Sequence, residues 1–217
     1  MTSVLSQSYT NWDMTVVIDS KDSMDSFSMA TRIKASSNQK SKIHIFKSKY
    51  HGCPKVTDEG IFLSAYDICT ILDSDDVLTQ DSLSIINKAF TPDIGFAWTL
   101  YKLLDGKTLG YSKGVPNKYP DLSAAIKDGW WGAIHQRVFR KSLYKTTKGL
   151  SDKWSCAVDY QLMCLLVSTG CMTRFIPEVT YLYRRHRKGS LSLLYPDEQK
   201  KCEHEIRQAF RDGRLGA

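Results

Sequence analysis

No run in the 217-residue chain approaches the roughly 20 consecutive apolar residues needed to cross a bilayer. The opening stretch, Met1 to Asn11, is polar and lacks a basic end followed by an apolar run, so no secretory signal is expected. The cysteines Cys53, Cys69, Cys156, Cys164, Cys171 and Cys202 form no Cys-x-x-Cys pair and no Cys/His group of zinc spacing. Cys69, Cys164 and Cys171 lie in apolar runs, where cysteine behaves as a small buried hydrophobe. A disulfide scaffold is not expected at this length, and reduced thiols point to a cytoplasmic chain. There is no internal repeat, low-complexity tract or linker, so one domain over residues 1–217 is expected.

The composition, 42% hydrophobic and 24% charged, suits a globular domain with a core of useful size. The net charge of +7 is unevenly spread. Arg137, Arg140, Lys141, Lys145, Lys148 and Lys153 form one cluster, and residues 184–188 read Arg-Arg-His-Arg-Lys. Such patches attract phosphates, or else serve as a solvated face.

Residues 3–11 read as a helix end running into a turn, and 13–18 as a buried β-branched strand ending at Asp19. Residues 29–35 suit a helix, and 42–47 a second strand. His51 to Pro54 is a turn signal, 58–66 a candidate helix, and 68–72 a third strand ending at Asp73-Ser74-Asp75-Asp76. Strands alternating with helices imply an α/β layer fold with parallel strands and a ligand beyond their carboxyl ends. Asp19 and the Asp73–Asp76 cluster both fall at such ends. Further on, 81–90 reads as helix, 94–104 as strand, Asp105-Gly106 as a hairpin turn and 113–121 as loop. An apolar helix is expected at 157–168, extended chain at 172–184, and an amphipathic helix at 196–212 with Ile206 and Phe210 on one face.

Asp73 and Asp75 are two residues apart, so on extended chain both carboxylates face one ligand. Hard cations such as Mn²⁺ or Mg²⁺ prefer such oxygens and bridge them to phosphates. The competing reading is a polar loop in which Asp76 or Thr79 caps the next helix.

The motif does not stand alone. The run from Ser3 to Ser20, Ser-Val-Leu-Ser-Gln-Ser-Tyr-Thr-Asn-Trp-Asp-Met-Thr-Val-Val-Ile-Asp-Ser, resembles the opening of family 2 glycosyltransferases of the GT-A fold. Ile68 to Leu78 is similar to that family's "F-L-D-S-D-D" segment. Ala157-Val-Asp-Tyr-Gln-Leu resembles its "E-D-x-x-L" catalytic segment. Pro177 to His186, with Ser190 and Ser192 beyond, resembles its closing "Y-R-x-H-x-x-S-x-S". The four segments occur in the family's order.

This resemblance implies a GT-A-type, Rossmann-like mixed sheet flanked by helices, with nucleotide-sugar binding in residues 1–90 and acceptor binding and catalysis in 91–217. It implies an inverting hexosyl- or deoxyhexosyltransferase that uses Mn²⁺ or Mg²⁺. The donor would be a nucleotide sugar, UDP-sugar first, and the acceptor a glycan or glycoprotein hydroxyl. Asp19 would touch base or ribose, Asp73 ribose or metal, and Asp75 the metal with His186. Arg184 and Arg185 would hold phosphate oxygens, for which a guanidinium fork is well shaped. Asp159 would be the general base. Trp130, Trp131 and His135 are acceptor candidates, since aromatic faces stack on sugar rings. The rival readings are a helix cap for Asp19, a helix-dipole partner for Asp159, a surface residue for His186 and core packing for the tryptophans. No recognised motif supports a nucleic-acid partner.

The chain departs from the family in three places. It begins after the strand that normally opens the fold. Ile18 stands where the first acid of "D-D" is usual, and Val158 where an acid normally precedes the base.

Overall fold

The computed structural model describes residues 1–22, 25–185 and 195–215. A short helix α1 (Thr2–Leu5) leads into β1 (Met14–Ile18), whose Val-Val-Ile run favours extended chain. Helix α2 (Ser26–Ser36) crosses over to β2 (Ile43–Lys47), which pairs with β1 in parallel, Met14 opposite Ile43 and Ile18 opposite Lys47. Helix α3 (Cys53–Leu63) follows Gly52, whose φ of +91° suits glycine. Pro54 sits in its first turn, where a missing N–H costs nothing. The turn signal at His51–Pro54 is therefore the helix start, and the helix runs 53–63 rather than 58–66.

The remaining elements are β3 (Ile68–Thr70), β4 (Val77–Leu78), α4 (Ser82–Ala89), β5 (Ile94–Leu103), α5 (Leu122–Lys127), β6 (Arg137–Arg140), α6 (Lys141–Tyr144), α7 (Val158–Ser168), β7 (Met172–Tyr183) and α8 (Pro196–Arg211). Their strands form a five-stranded sheet in the order β3-β6-β5-β7-β4. β5 and β7 run parallel, while β6 is antiparallel to both its neighbours and β4 is antiparallel to β7. The purely parallel sheet implied by the alternation of elements is thus corrected to a mixed one. The connection after β5 stays at that strand's carboxyl end, so β6 has to run back. The expected α/β class, a mixed sheet flanked by helices, is the one observed.

The core lies under the two C-terminal helices. Residues 160–167 of α7 are all buried, as a sequence apolar but for Gln161 requires. α8 is polar outside and buries Cys202, Ile206, Ala209 and Phe210 on one face. Trp98, Phe96 and Phe139 fill the sheet side of the same cluster. None of the six cysteines is in a disulfide. Among the described residues no helix is long and apolar enough to cross a membrane.

Ile206 is fully buried in this cluster. Ile206→Ala is expected to cost about 3 kcal/mol. That should lower the thermal midpoint by roughly 6–12 °C, as read by scanning calorimetry. An unchanged midpoint would mean that α8 does not close the core.

Candidate active site at the carboxyl ends of the strands

The antiparallel pairing of β3 and β6 sets the geometry. Thr70 lies opposite Val138, so Arg137, the first residue of β6, sits where β3 ends and the acidic loop begins. The Thr70 hydroxyl donates to the Arg137 carbonyl at 2.8 Å. Gln136 locks this corner. It is fully buried, its amide nitrogen donates to the Thr70 hydroxyl at 2.9 Å, and its amide oxygen accepts from Ser82 at 2.8 Å.

The Arg137 side chain is only 5% exposed. Its Nη1 lies 3.5 Å from Asp159 Oδ2 and its Nη2 lies 3.9 Å from Asp73 Oδ2. Its Nε has no hydrogen-bond partner among the described residues. Burial works against its charge, but Asp159 and then Asp73 raise its pKa above the ordinary arginine value.

Asp159 occupies the first turn of α7, and its Oδ1 accepts its neighbour Tyr160 N–H at 2.9 Å. Ala157, the residue just before α7, has left-handed backbone (φ +56°), a conformation costing about 1–2 kcal/mol outside glycine. Its N–H donates to Gln199 Oε1 at 3.2 Å, which ties α8 to the start of α7. Asp73 is 48% exposed. Desolvation raises its carboxyl above the usual range and the Asp159 and Asp75 charges add to this, against the pull of Arg137. Cys53, at the start of α3, joins the same group: desolvation pushes its thiol up, and Asp73 and Asp159 push it further. Glu203 of α8 is likewise raised, first by desolvation and also by the Asp159 charge.

Two further acids act on the backbone. Asp19 Oδ1 accepts the Lys21 N–H at 2.8 Å and meets His51 Nδ1 at 2.9 Å, while Oδ2 accepts the Gly52 N–H at 2.8 Å. Desolvation opposes its charge, yet these bonds hold its carboxyl at about 2. The Gly52 bond also fixes the turn into α3 that carries Cys53. Asp76, which the sequence offers as a helix cap, is instead buried. Its Oδ2 accepts the Tyr181 hydroxyl at 2.7 Å and its Oδ1 accepts the Arg184 N–H at 2.6 Å. Desolvation pushes its carboxyl up to about 6. The helix after it is preceded by Asp81, whose side chain makes no cap bond.

Asp75 is exposed on the same loop, and its carbonyl accepts Arg184 Nε at 2.9 Å. The chain thus brings Asp73, Asp75, Asp159 and Arg184 to one end of the sheet, with Asp19 linked through Gly52 and Cys53. Arg185 is exposed beside them, close enough to Tyr101 to act on its hydroxyl. His186 lies outside the described residues. Of the aromatic candidates, Trp130 is 9% exposed and packs edge-on against Trp98 in the core. His135 is 6% exposed, lies flat on Tyr181 at 4.7 Å and on Tyr183 at 5.3 Å, and meets Tyr101 edge-on. Burial, then Arg137, drives its pKa well below the ordinary value, so its ring is neutral. Trp131 is half-buried against Tyr160, next to Asp159.

Arg137 is the residue the sequence reading missed, since it was grouped with a basic surface cluster. Its neighbours Gln136, Val138 and Phe139, all interior, were the available signal. Two more members of that cluster are committed elsewhere. Arg140 donates to the carbonyls of Ile94 and Thr91, and Lys141 to that of Ser64. The cluster is therefore not one phosphate-seeking surface.

Among the described residues, no three His, Cys, Asp or Glu side chains converge on a ready-made metal cage. Asp73 and Asp75 nonetheless fit Mg²⁺ or Mn²⁺. Both are exposed carboxylates that repel one another, and such ions are commonly held by one or two carboxylates together with substrate phosphates. A cavity of about 640 Å³, lined by Trp98, Tyr119, Phe175 and neighbours, contains none of these acids; its one carboxylate is Asp121.

Titrating the aspartate carboxyl carbons by NMR should give about 6 for Asp76 and about 2 for Asp19. Both start from about 3.9 when unfolded. The Asp76 contribution to stability is then present below 3.9 and lost as pH rises through 6, and the Asp19 contribution is present above 3.9 and lost as pH falls through 2. Two carboxyls titrating together near 3.9 would contradict both environments.

No family model and no curated protein matches the sequence. Solved structures do match the fold. S. aureus TarS superposes with a TM-score of 0.64 at 12% identity, covering 96% of this chain and 36% of its own. TarS 1–349 in complex with UDP gives 0.64 at 12% identity over 96% of this chain and 59% of its own. TarS 1–349 alone gives 0.61 at 13% identity over 94% and 58%. The chain thus spans 36–59% of the length of these structures. It has a GT-A-type, glycosyltransferase-like fold.

Proposed function

We propose that the chain is an inverting, metal-dependent glycosyltransferase that moves a hexosyl or deoxyhexosyl group from a UDP-sugar to a hydroxyl of a glycan or glycoprotein. The observation that carries this reading is the pairing of Asp73, on the acidic loop, with Asp159, on α7, across the buried Arg137. The likeness to a fold solved with UDP supports the choice of nucleotide.

The roles follow from position. Asp19, held ionised by two backbone amides, stands at the end of β1 where base or ribose would lie. Asp73 would meet the ribose or the metal, and Arg184 and Arg185 would hold the diphosphate oxygens. Asp75 would hold Mn²⁺ or Mg²⁺, with His186 as a further candidate ligand. When bound, the cation neutralises charge developing on the leaving diphosphate. Asp159 accepts the acceptor hydroxyl proton as that oxygen attacks the anomeric carbon from the face opposite the leaving group. Trp131, half-buried beside Tyr160, is the aromatic candidate best placed to stack on an acceptor ring; Trp130 and His135 would shape the site from beneath.

Calorimetric titration with a panel of nucleotide sugars, with and without Mn²⁺, tests the reading. UDP-sugar binding that needs Mn²⁺ and is lost in Asp75→Ala is expected. Asp159→Ala should keep donor binding and lower turnover by roughly 10²–10⁴-fold. No binding to any donor with metal present would refute the transferase reading.

A further inference from the structure

We infer that Arg137 is a positioning residue that sets the separation and direction of Asp73 and Asp159 by holding one at each end of its guanidinium. This rests on the glycosyltransferase reading of the site. Asp73 belongs to a loop between β3 and β4, and Asp159 to the first turn of α7. These elements come from distant parts of the chain, and among the described residues Arg137 is a cation placed against both carboxylates.

The geometry argues for positioning rather than for a role in binding substrate. The side chain is 5% exposed, whereas Asp73 is 48% and Asp159 26% exposed. Arg137 therefore lies behind the carboxylates, which in turn face the cleft. Its backbone is anchored by Thr70 and faces Trp98 of β5, so the guanidinium has little freedom to follow a ligand. At 3.5 and 3.9 Å, both pairs are longer than ordinary charge-assisted hydrogen bonds, which fall near 2.8 Å. The fork spans two partners instead of closing on one. Lysine, a point charge on a flexible stem, cannot reproduce such a span.

Among the described residues, the other titratable groups that act on or with Asp159 include Asp73, Cys53 of α3 and Glu203 of α8. Each is an acid, so Arg137 supplies the compensating charge on that side. It holds Asp159 aimed at the acceptor while Asp73 faces the donor. A 1 Å displacement of a catalytic group is worth roughly 100-fold in rate.

The test compares Arg137→Lys and Arg137→Met with the unaltered chain. Affinity is read by titration with UDP in Mg²⁺, and chemistry by UDP release from the UDP-sugar that binds best. Arg137→Lys should hold UDP within about threefold of the parent and release it about 100-fold more slowly. Arg137→Met, which removes both contacts, should lose at least as much rate while still holding UDP within about threefold. Equal losses of UDP affinity and rate would make Arg137 a donor-binding residue and overturn the inference. So would a rate unchanged in both variants. If the parent binds no UDP, the transferase reading has failed, and the backbone amide shifts of Asp73 and Asp159 in Arg137→Lys judge the positioning claim by themselves. Displacement of both amides upholds it, and amides that stay where they are in the parent overturn it. Should Arg137→Met fail to fold, Arg137→Lys decides through the same readouts.

Discussion

A guanidinium withdrawn from water must meet negative charge, and the Arg137 side chain meets it from two elements at once. Breaking one side of a buried ion pair typically costs 3–5 kcal/mol, because the charge left behind has lost its solvent without keeping its partner. Here the carboxylates reach the cleft while the guanidinium does not, so the cost is asymmetric. The protein keeps its cation on the inside and offers its anions outward. Three acids at the end of a sheet would otherwise repel each other; desolvation raises the Asp73 carboxyl first, and the Asp159 and Asp75 charges add to it. The same crowding suits the site to a ligand that brings positive charge.

Around this corner the backbone is fixed by bonds that use no catalytic group. Asp76 draws Tyr181 and the Arg184 amide to the acidic loop, so the end of β7 cannot drift from the end of β3. His135 fills the space between, enclosed by Tyr101, Tyr181 and Tyr183. Gln136 joins β3, β5 and α4 through Thr70, Thr99 and Ser82. Behind α7, Gln199 reaches from α8 to Ala157 and on to Glu203. The acid on α7 is thus held from two sides: by Arg137 through charge, and by α8 through the backbone just ahead of it.

What could be read in advance follows from which forces are local. β1, β2, β5, β7, α7 and α8 declare themselves through unbroken or periodic apolar residues, and their ends were legible to within a few positions. The acids at the strand ends were also legible, because turn residues mark where strands stop. β6 was not, since a four-residue strand that begins and ends in arginine looks like surface. Arg137 can be interior because Asp73 and Asp159 converge on it, a tertiary fact that its apolar neighbours Val138 and Phe139 only hint at. Trp130 and His135 carry no local sign of facing inward either; Trp98 and three tyrosines from β5 and β7 decide that. The direction of β6 was hidden for a similar reason, because it depends on where the long connection after β5 returns.

The account stands or falls on where a nucleotide diphosphate settles. Amide chemical-shift mapping with UDP and Mg²⁺ reads this directly on the intact chain. Shifts gathered at Asp19, Gly52, Asp73 to Asp76, Arg137 and Asp159 would match the arrangement derived from the sheet ends. Shifts gathered instead around Trp98, Tyr119 and Phe175, which line the 640 Å³ cavity, would contradict it and move the ligand site to the other side of the core.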